Sequence, residues 1–535
     1  MEQLIIFIII LFPLVYFTYQ SYRHRKKTNN LIKFFQYGKK LKVNRFFATM
    51  TASNSGMSGA LFLIAIYGYF YGLGIVIWVI TFWIATQVTY RYVAKQLTLN
   101  EGKKFWKNNT TLHEYLGSKY DEPKIRMFTG ILSLISYCGL VAAEIILGYE
   151  IINSLMVGDE ALIGTRLVLP SFSIIILILL LILSYASMSG FWSVVKTDVV
   201  QLGFILFMMI LIWIFIGSKF SNILETYQNY YSTNIVDAIF NPDGSGVFNF
   251  LFFVVLMNII FWGLWWPSAM DQWHRAAATR DFKNIANKRM GATGSLTISY
   301  FTFLSLTFVM VGVVLKTTII SNGGEIAPLG YLMEGMSNHW SGLSRVLIVG
   351  FVAAGFMAAV ISTIDSYIVV AVQSVISDFF ITKREGLTLS EIDKDLSKSQ
   401  FYLMWSRIAV IIIGLIIIII SILFSYLKDV FTAIYFSFSF MFIAVPFVFL
   451  SFNKKKMKSK NRGRAMLWSL TIGLFWCIIT NFFIIVNIEK LNTLNDLDNM
   501  LIWYNYLYAN PFITSTISIV SYFLIHKLIS VKNKV

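Results

Sequence analysis

Gly355-Phe-Met-Ala-Ala-Val-Ile-Ser-Thr-Ile-Asp-Ser366, followed by an apolar run to Ser377-Asp378, is the stretch on which the rest of the chain turns. Its length and apolarity suit a membrane-spanning helix, but a lipid-facing helix would not carry Ser362, Thr363, Asp365 and Ser366 at its centre. Ala359, Ser362, Thr363 and Ser366 recur at helical spacing and share one face, with Asp365 just beside it. Small side chains let a second backbone approach, and the hydroxyls offer neutral oxygens of the kind a hard cation such as sodium takes. Ser and Thr also serve as plain hydrogen-bonding glue between helices. Asp365 favours the functional reading, because a carboxylate inside a membrane is costly and usually has work to do.

Working outward, the composition agrees with a membrane setting. Of 535 residues, 57% are hydrophobic, 16% aromatic and only 13% charged, far from soluble averages. The reading is an all-α polytopic membrane protein. Cys138 and Cys477 both fall inside apolar spans, which argues against a disulfide frame or a metal cluster. The five histidines are scattered, which argues against a membrane-embedded, His-dependent enzyme. Abundant Ile, Lys, Asn and Phe point to AT-rich coding sequence of a bacterial kind.

Thirteen spans are expected, at 3–20, 46–72, 73–95, 127–155, 167–187, 193–218, 247–270, 293–316, 345–378, 403–426, 429–452, 465–488 and 509–529. The first lacks the basic start and small-residue cleavage site of a signal peptide and is kept as a helix. Loop charge alternates across all thirteen. Segments 21–45, 91–126 and 453–464 carry nine, eight and seven Lys or Arg. The opposite side holds only Arg166, Lys219, Lys316, Arg345, Lys428 and Lys490. The expected orientation is N-terminus outside and C-terminus cytoplasmic in the plasma (inner) membrane. The net charge of +17 is then a topology signal and not a nucleic-acid surface.

Local features mark particular spans. The second opens with Thr51-Ala-Ser-Asn-Ser-Gly-Met-Ser-Gly59, where hydroxyls, Asn and Gly all weaken a helix. A break there would free carbonyls at membrane depth, tolerated only beside a protein cavity; close packing through small residues is the plainer reading. Span seven carries Trp262-Gly-Leu-Trp-Trp-Pro267, whose Pro removes a helical hydrogen bond. Glu144 lies near mid-span in the fourth helix and needs a partner or a proton, while Glu150 lies near its outer end. Two outer segments are long. Residues 219–246 contain the turn cluster Asn241-Pro-Asp-Gly-Ser-Gly. Residues 317–344 have the composition for a short helix, though an ordinary loop is the favoured reading.

Between spans five and six stands Ser189-Gly-Phe-Trp-Ser-Val-Val-Lys-Thr-Asp-Val-Val-Gln201. Here the chain resembles the sodium/solute symporter family, the group containing the bacterial proline and galactose symporters. Gly190, Ser193, Val194, Thr197, Asp198 and Gln201 stand at the spacing of the family signature, with Ser189 in place of its first Gly. Thr111-Leu-His-Glu-Tyr-Leu, Gly68-Tyr-Phe-Tyr-Gly-Leu-Gly and Ala358-Ala-Val-Ile-Ser-Thr-Ile-Asp-Ser extend the likeness over nearly the whole chain. Asp271-Gln-Trp-His-Arg275 is similar to the family's Gln/Arg pattern after the Pro but departs from its spacing.

The resemblance implies a five-plus-five inverted-repeat (LeuT-like) transporter core whose first helices, spans two and seven, are broken at midplane. The implied organisation is an N-terminal extra helix and basic loop (1–45), a first repeat (46–218), an outer loop (219–246), a second repeat (247–452) and two C-terminal helices with a short tail (453–535). For a first sodium ion it implies the Ala359 carbonyl, the Ser362 and Thr363 hydroxyls, and two carbonyls from span two. One anchoring of the motif gives Ser55 and Ser58, the other Ala52 and Ser55; the first is preferred. A second sodium would use Asp198, Asp365 and Ser366. The solute site would draw on Phe62, Gln87, Trp262, Trp265 and Tyr435, although aromatics in spans more often pack or anchor.

The expected function is a sodium-coupled secondary symporter for a small polar organic solute, not an enzyme, with sodium (one ion or two), the solute and the bilayer as partners and a monomer sufficient. No phosphate-binding loop suggests ATP drive. A proton-coupled transporter, with Glu144 or Asp365 as carrier, is one alternative. A solute sensor on the same core is another, disfavoured by the short C-terminal tail.

Overall fold

The computed structural model describes residues 2–56, 64–65, 68–69, 72–108, 111–157, 169–219, 263–265, 268–279, 291–319, 328–425, 430–453, 457, 459, 461–492 and 497–532, and these are helical almost throughout. In chain order the helices are α1 (Glu2–His24), α2 (Leu31–Gln36), α3 (Val43–Asn54), α4 (Ile75–Asn108), α5 (Leu112–Tyr120) and α6 (Pro123–Val157). Next come α7 (Leu169–Ser189), α8 (Phe191–Ser218), α9 (Met270–Ala277), α10 (Gly291–Ile319), α11 (Pro328–His339) and α12 (Gly342–Gln373). The chain ends with α13 (Leu396–Ser425), α14 (Val430–Phe442), α15 (Val445–Ser451), α16 (Arg462–Asn492) and α17 (Leu497–Lys532).

Among the described residues, 11 helical segments are long and apolar enough to cross a membrane, and they match in order eleven of the thirteen expected spans. The other two, 46–72 and 247–270, fall largely outside the described residues. What is described of them is α3, which stops at Asn54, and the fragment Gly263–Trp265. Segment 219–246 lies almost wholly outside as well. The favoured loop reading of 317–344 gives way to α11, because Leu332, Met333 and Met336 form an apolar face that packs against α6, α10 and α12.

α12 is the centre of the bundle. It packs most extensively on α8 and α6, with α1, α3 and α13 also against it. In its most apolar window 83% of residues are buried, as in α6, against 28% for α1 and α13. A helix apolar all round belongs in a core or in lipid, and this one is in the core. Its C-terminal end continues into a π-helical segment, Ser374–Ile381.

The α7–α8 corner explains why the family signature needs its Gly. Gly190 has φ of +55°, and a Cβ there would meet the Phe34 carbonyl oxygen at 2.5 Å. Only glycine takes both the left-handed backbone and that approach without strain. The corner sets the start of α8, and so the depth of Thr197 and Asp198.

Candidate functional site

α3 ends because its own side chains compete for its backbone. The Ser55 hydroxyl donates to Thr51 O at 2.7 Å, and Ser55 N–H donates to Ala52 O at 3.0 Å, tightening the last turn. The freed end lies against the Ser-Thr stripe of α12. Ser362 Oγ is 2.9 Å from both the Ala52 and the Ala359 carbonyl oxygens. Thr363 Oγ1 is 3.2 Å from Ser53 O and 3.0 Å from Ala359 O. Three carbonyls and two hydroxyls thus converge from two helices, all buried and all neutral. The structure brings together Ala52, Ser53, Ala359, Ser362 and Thr363, with Ser55 at the break itself. Ser58 lies outside the described residues.

Gly56 continues the break, and a Cβ on it would stand 2.6 Å from Thr363 Oγ1 and 2.9 Å from Glu144 Oε1. Glu144, fully buried on α6, therefore brings a carboxylate to the edge of this neutral cluster. The absence of a side chain at residue 56 keeps the corner open.

One turn towards the C-terminal end of α12, the character changes. Asp365 Oδ2 accepts from Tyr185 Oη at 2.7 Å and from Thr197 Oγ1 at 3.0 Å. Asp198 Oδ2 accepts from Thr49 Oγ1. Beside them is Arg275, fully buried, whose guanidinium donates to Asp271 Oδ2 at 3.0 Å, Ser366 Oγ at 2.9 Å and Ser53 Oγ, and more weakly to Thr49 Oγ1 at 3.4 Å. Tyr137 donates to Asp271 at 2.9 Å, and Gln272 bridges Asp271 to Asn54 at 2.7 and 3.0 Å. α3 and α9 are so tied to each other and to α12. The network holds three carboxylates and one guanidinium. Asp198 Oδ1 and Asp365 Oδ1 are buried with no hydrogen-bond partner among the described residues. Among the described residues, no three acidic, His or Cys side chains converge as a cage there.

A third polar cluster closes the C-terminal end of α12. Arg126 bonds Glu114 at 2.7 Å, Asp378 at 3.1 Å and the carbonyls of Ser377 and Leu387 at 2.8 and 3.0 Å. Thr111 and Glu114 form the capping box of α5, and Thr111 Oγ1 also donates to Asp378 at 2.8 Å. The Thr111-Leu-His-Glu motif is therefore a structural clamp on the π-helical segment.

Of the expected solute contacts, Phe62 and Trp262 lie outside the described residues. Trp265 and Tyr435 both pack on Phe438, at ring separations of 5.1 and 6.2 Å, so they share the α14 wall. Gln87 instead ties α4 to α10 through Ser295, at 2.6 and 2.9 Å. Sequence reasoning missed Thr49, Ser53, Tyr185, Asp271 and Arg275. The one available signal was the Asp271/Arg275 spacing of four on a short helix.

The sequence pattern of the sodium:solute symporter family matches residues 34–473. The chain belongs to that family. No curated protein matches it in sequence. Among solved structures it is similar to a Na+-coupled sialic acid symporter in a substrate-bound outward-open state, at 15% identity and a TM-score of 0.64, covering 98% of each chain. A nucleobase-cation-symport-1 transporter with bromovinylhydantoin bound is aligned over 93% of each chain at 12% identity, with a TM-score of 0.36. This symporter-family chain therefore has the five-plus-five inverted-repeat fold. It is a multi-pass membrane protein of a transporter family, not an enzyme.

Proposed function

We propose that this family member couples inward sodium flow to uptake of a small polar organic solute by alternating access. The observation that carries the reading is the buried convergence of the Ala52, Ser53 and Ala359 carbonyls with the Ser362 and Thr363 hydroxyls at the end of α3. Hard, neutral oxygens held by two rigid helices suit a monovalent cation that must bind and leave. The preferred carbonyls of the motif reading, Ser55 and Ser58, would complete the same cluster from beyond the break. The solute would lie between the two interrupted spans and α14, with Trp265 and Tyr435 on one wall and Phe62, Trp262 and Gln87 as further candidates. The repeats would run over 46–218 and 247–452, with the basic loops cytoplasmic.

A second cation at Asp198, Asp365 and Ser366 is part of the proposal. Two buried carboxylate oxygens without partners support it, since Arg275 offsets only one of three aspartates. Energetically, one sodium ion moving down about 100 mV supplies roughly 2.3 kcal/mol. A tenfold gradient adds about 1.4 kcal/mol. One ion then supports roughly 500-fold accumulation of a neutral solute, and two ions about the square of that. The same unpartnered oxygens favour one rival reading, in which a proton takes the second place.

The test is a counterflow screen in proteoliposomes with sugars, amino acids and carboxylates, in sodium and in potassium. Exchange of some solute that requires sodium is expected. Exchange driven by a pH gradient and indifferent to sodium would replace this reading with proton coupling.

A further inference from the structure

A separate site lies at the basic end of the bundle, away from the cation clusters. The chain leaves α1 at His24, turns, runs through α2, and reverses over Tyr37, Gly38 and Lys39, all with left-handed φ of 51–62°. This scaffold is held firmly. Leu31, Phe34 and Phe35 are buried, and Asp393 caps α2 by accepting from Leu31 N at 2.9 Å. Between this loop and the start of α8 is a cavity of about 800 Å³. Lys27, Lys33, Lys40, Lys42 and Arg45 line it, and no acidic residue does. Among the described residues Lys27, Lys40 and Lys42 have no ion-pair partner. Trp192 and His24 form another wall, stacked at 3.6 Å with their rings 5° from parallel.

Basic residues that merely set topology can spread over solvated loops, but these five charges face one concave space. Like charges so gathered repel, and an anion with several oxygens removes that repulsion. The position narrows the choice. α1 ends at this cavity and α8 begins there, so its mouth stands at headgroup depth. A basic cavity at the ends of two membrane helices matches the phosphate headgroup of a lipid whose acyl chains stay in the bilayer.

We propose that the α1–α2 loop and the start of α8 form a binding site for the headgroup of an anionic phospholipid, with the phosphate held by Lys27, Lys40, Lys42 and Arg45 and the acyl chains in the surrounding bilayer. The site would fasten the N-terminal helix to the bundle where the family motif begins.

The test uses the full chain purified in a neutral detergent. Retention of phosphatidylglycerol and of phosphatidylcholine is measured by native mass spectrometry, and thermal unfolding is followed with each lipid or with inorganic phosphate. The variant is Lys27→Gln/Lys40→Gln/Lys42→Gln, at exposed positions remote from the cation clusters, with the three Lys→Arg changes as a charge-keeping control. One phosphatidylglycerol should be retained preferentially and raise the midpoint. Each removed charge should weaken it roughly fivefold, so the triple variant loses on the order of a hundredfold while the Arg control keeps it. Equal retention of both lipids, undiminished phosphatidylglycerol on the triple Gln variant, or equal stabilisation by inorganic phosphate would overturn the assignment.

Discussion

The two polar clusters on α12 are one helical turn apart and opposite in kind. Around Ser362 and Thr363 every converging oxygen is neutral, with a single carboxylate, Glu144, at the edge. Around Asp365 and Ser366 there are carboxylates in excess and an arginine already in residence. The difference lies in what each helix break supplies. At the Ser362/Thr363 cluster the end of α3 delivers neutral backbone carbonyls. At the Asp365/Ser366 cluster α9 delivers Asp271 and Arg275 together, so the arrangement is held by charge whether or not an ion is bound. One region offers only neutral oxygens, while the other joins three helices through charge.

Substitutions can break that contrast. The largest effect is expected from Arg275→Gln. It strands buried aspartates and should cost about 3–5 kcal/mol, seen as a large fall in unfolding midpoint in detergent. A fall no greater than that of Thr363→Ala would show that the Asp365/Ser366 cluster is not held by charge. Next is Gly56→Ala, whose Cβ would stand 2.6 Å from Thr363 Oγ1. The hydroxyl or the helix break must move, and the sodium concentration for half-maximal uptake should rise at least tenfold. Unaltered sodium activation would separate residue 56 from the site.

Asp198→Asn and Asp365→Asn act on the Asp365/Ser366 cluster. If a second sodium binds there, uptake against sodium concentration changes from sigmoidal to hyperbolic in either variant. A wild type that is already hyperbolic, with a one-to-one flux ratio, would leave that cluster purely structural. The smallest change, Thr363→Ala, removes one neutral ligand worth about 1 kcal/mol. It should raise the half-maximal sodium concentration several-fold while solute affinity at saturating sodium changes less.

Much of this contrast was legible in the chain, and the reasons are physical. The Ala359/Ser362/Thr363/Ser366 stripe follows from helical period alone. The weakness of span two follows from Ser, Asn and Gly at its start, and α3 does stop at Asn54. The match of eleven spans follows from apolar length. The charge network was not legible, because Arg275 meets Ser53 and Ser366 across 222 and 91 residues, and no local pattern encodes such pairings. Glu144 gave no hint of its neighbours for the same reason, since Gly56 and Thr363 approach it from two other helices. α11 ranked below a loop because three apolar residues at helical spacing are a weak signal beside Asn322-Gly-Gly.

Sodium binding can be measured without knowing the solute. The purified protein is unfolded thermally at rising sodium, with potassium keeping ionic strength constant. An ion that binds only the folded state stabilises it by about 2.7 kcal/mol at a hundred times its dissociation constant. The account predicts a midpoint that climbs with sodium and not with potassium. It also predicts that Thr363→Ala shifts the climb to several-fold higher sodium. A midpoint indifferent to the choice of cation, or a Thr363→Ala protein that follows the wild-type curve, would contradict it.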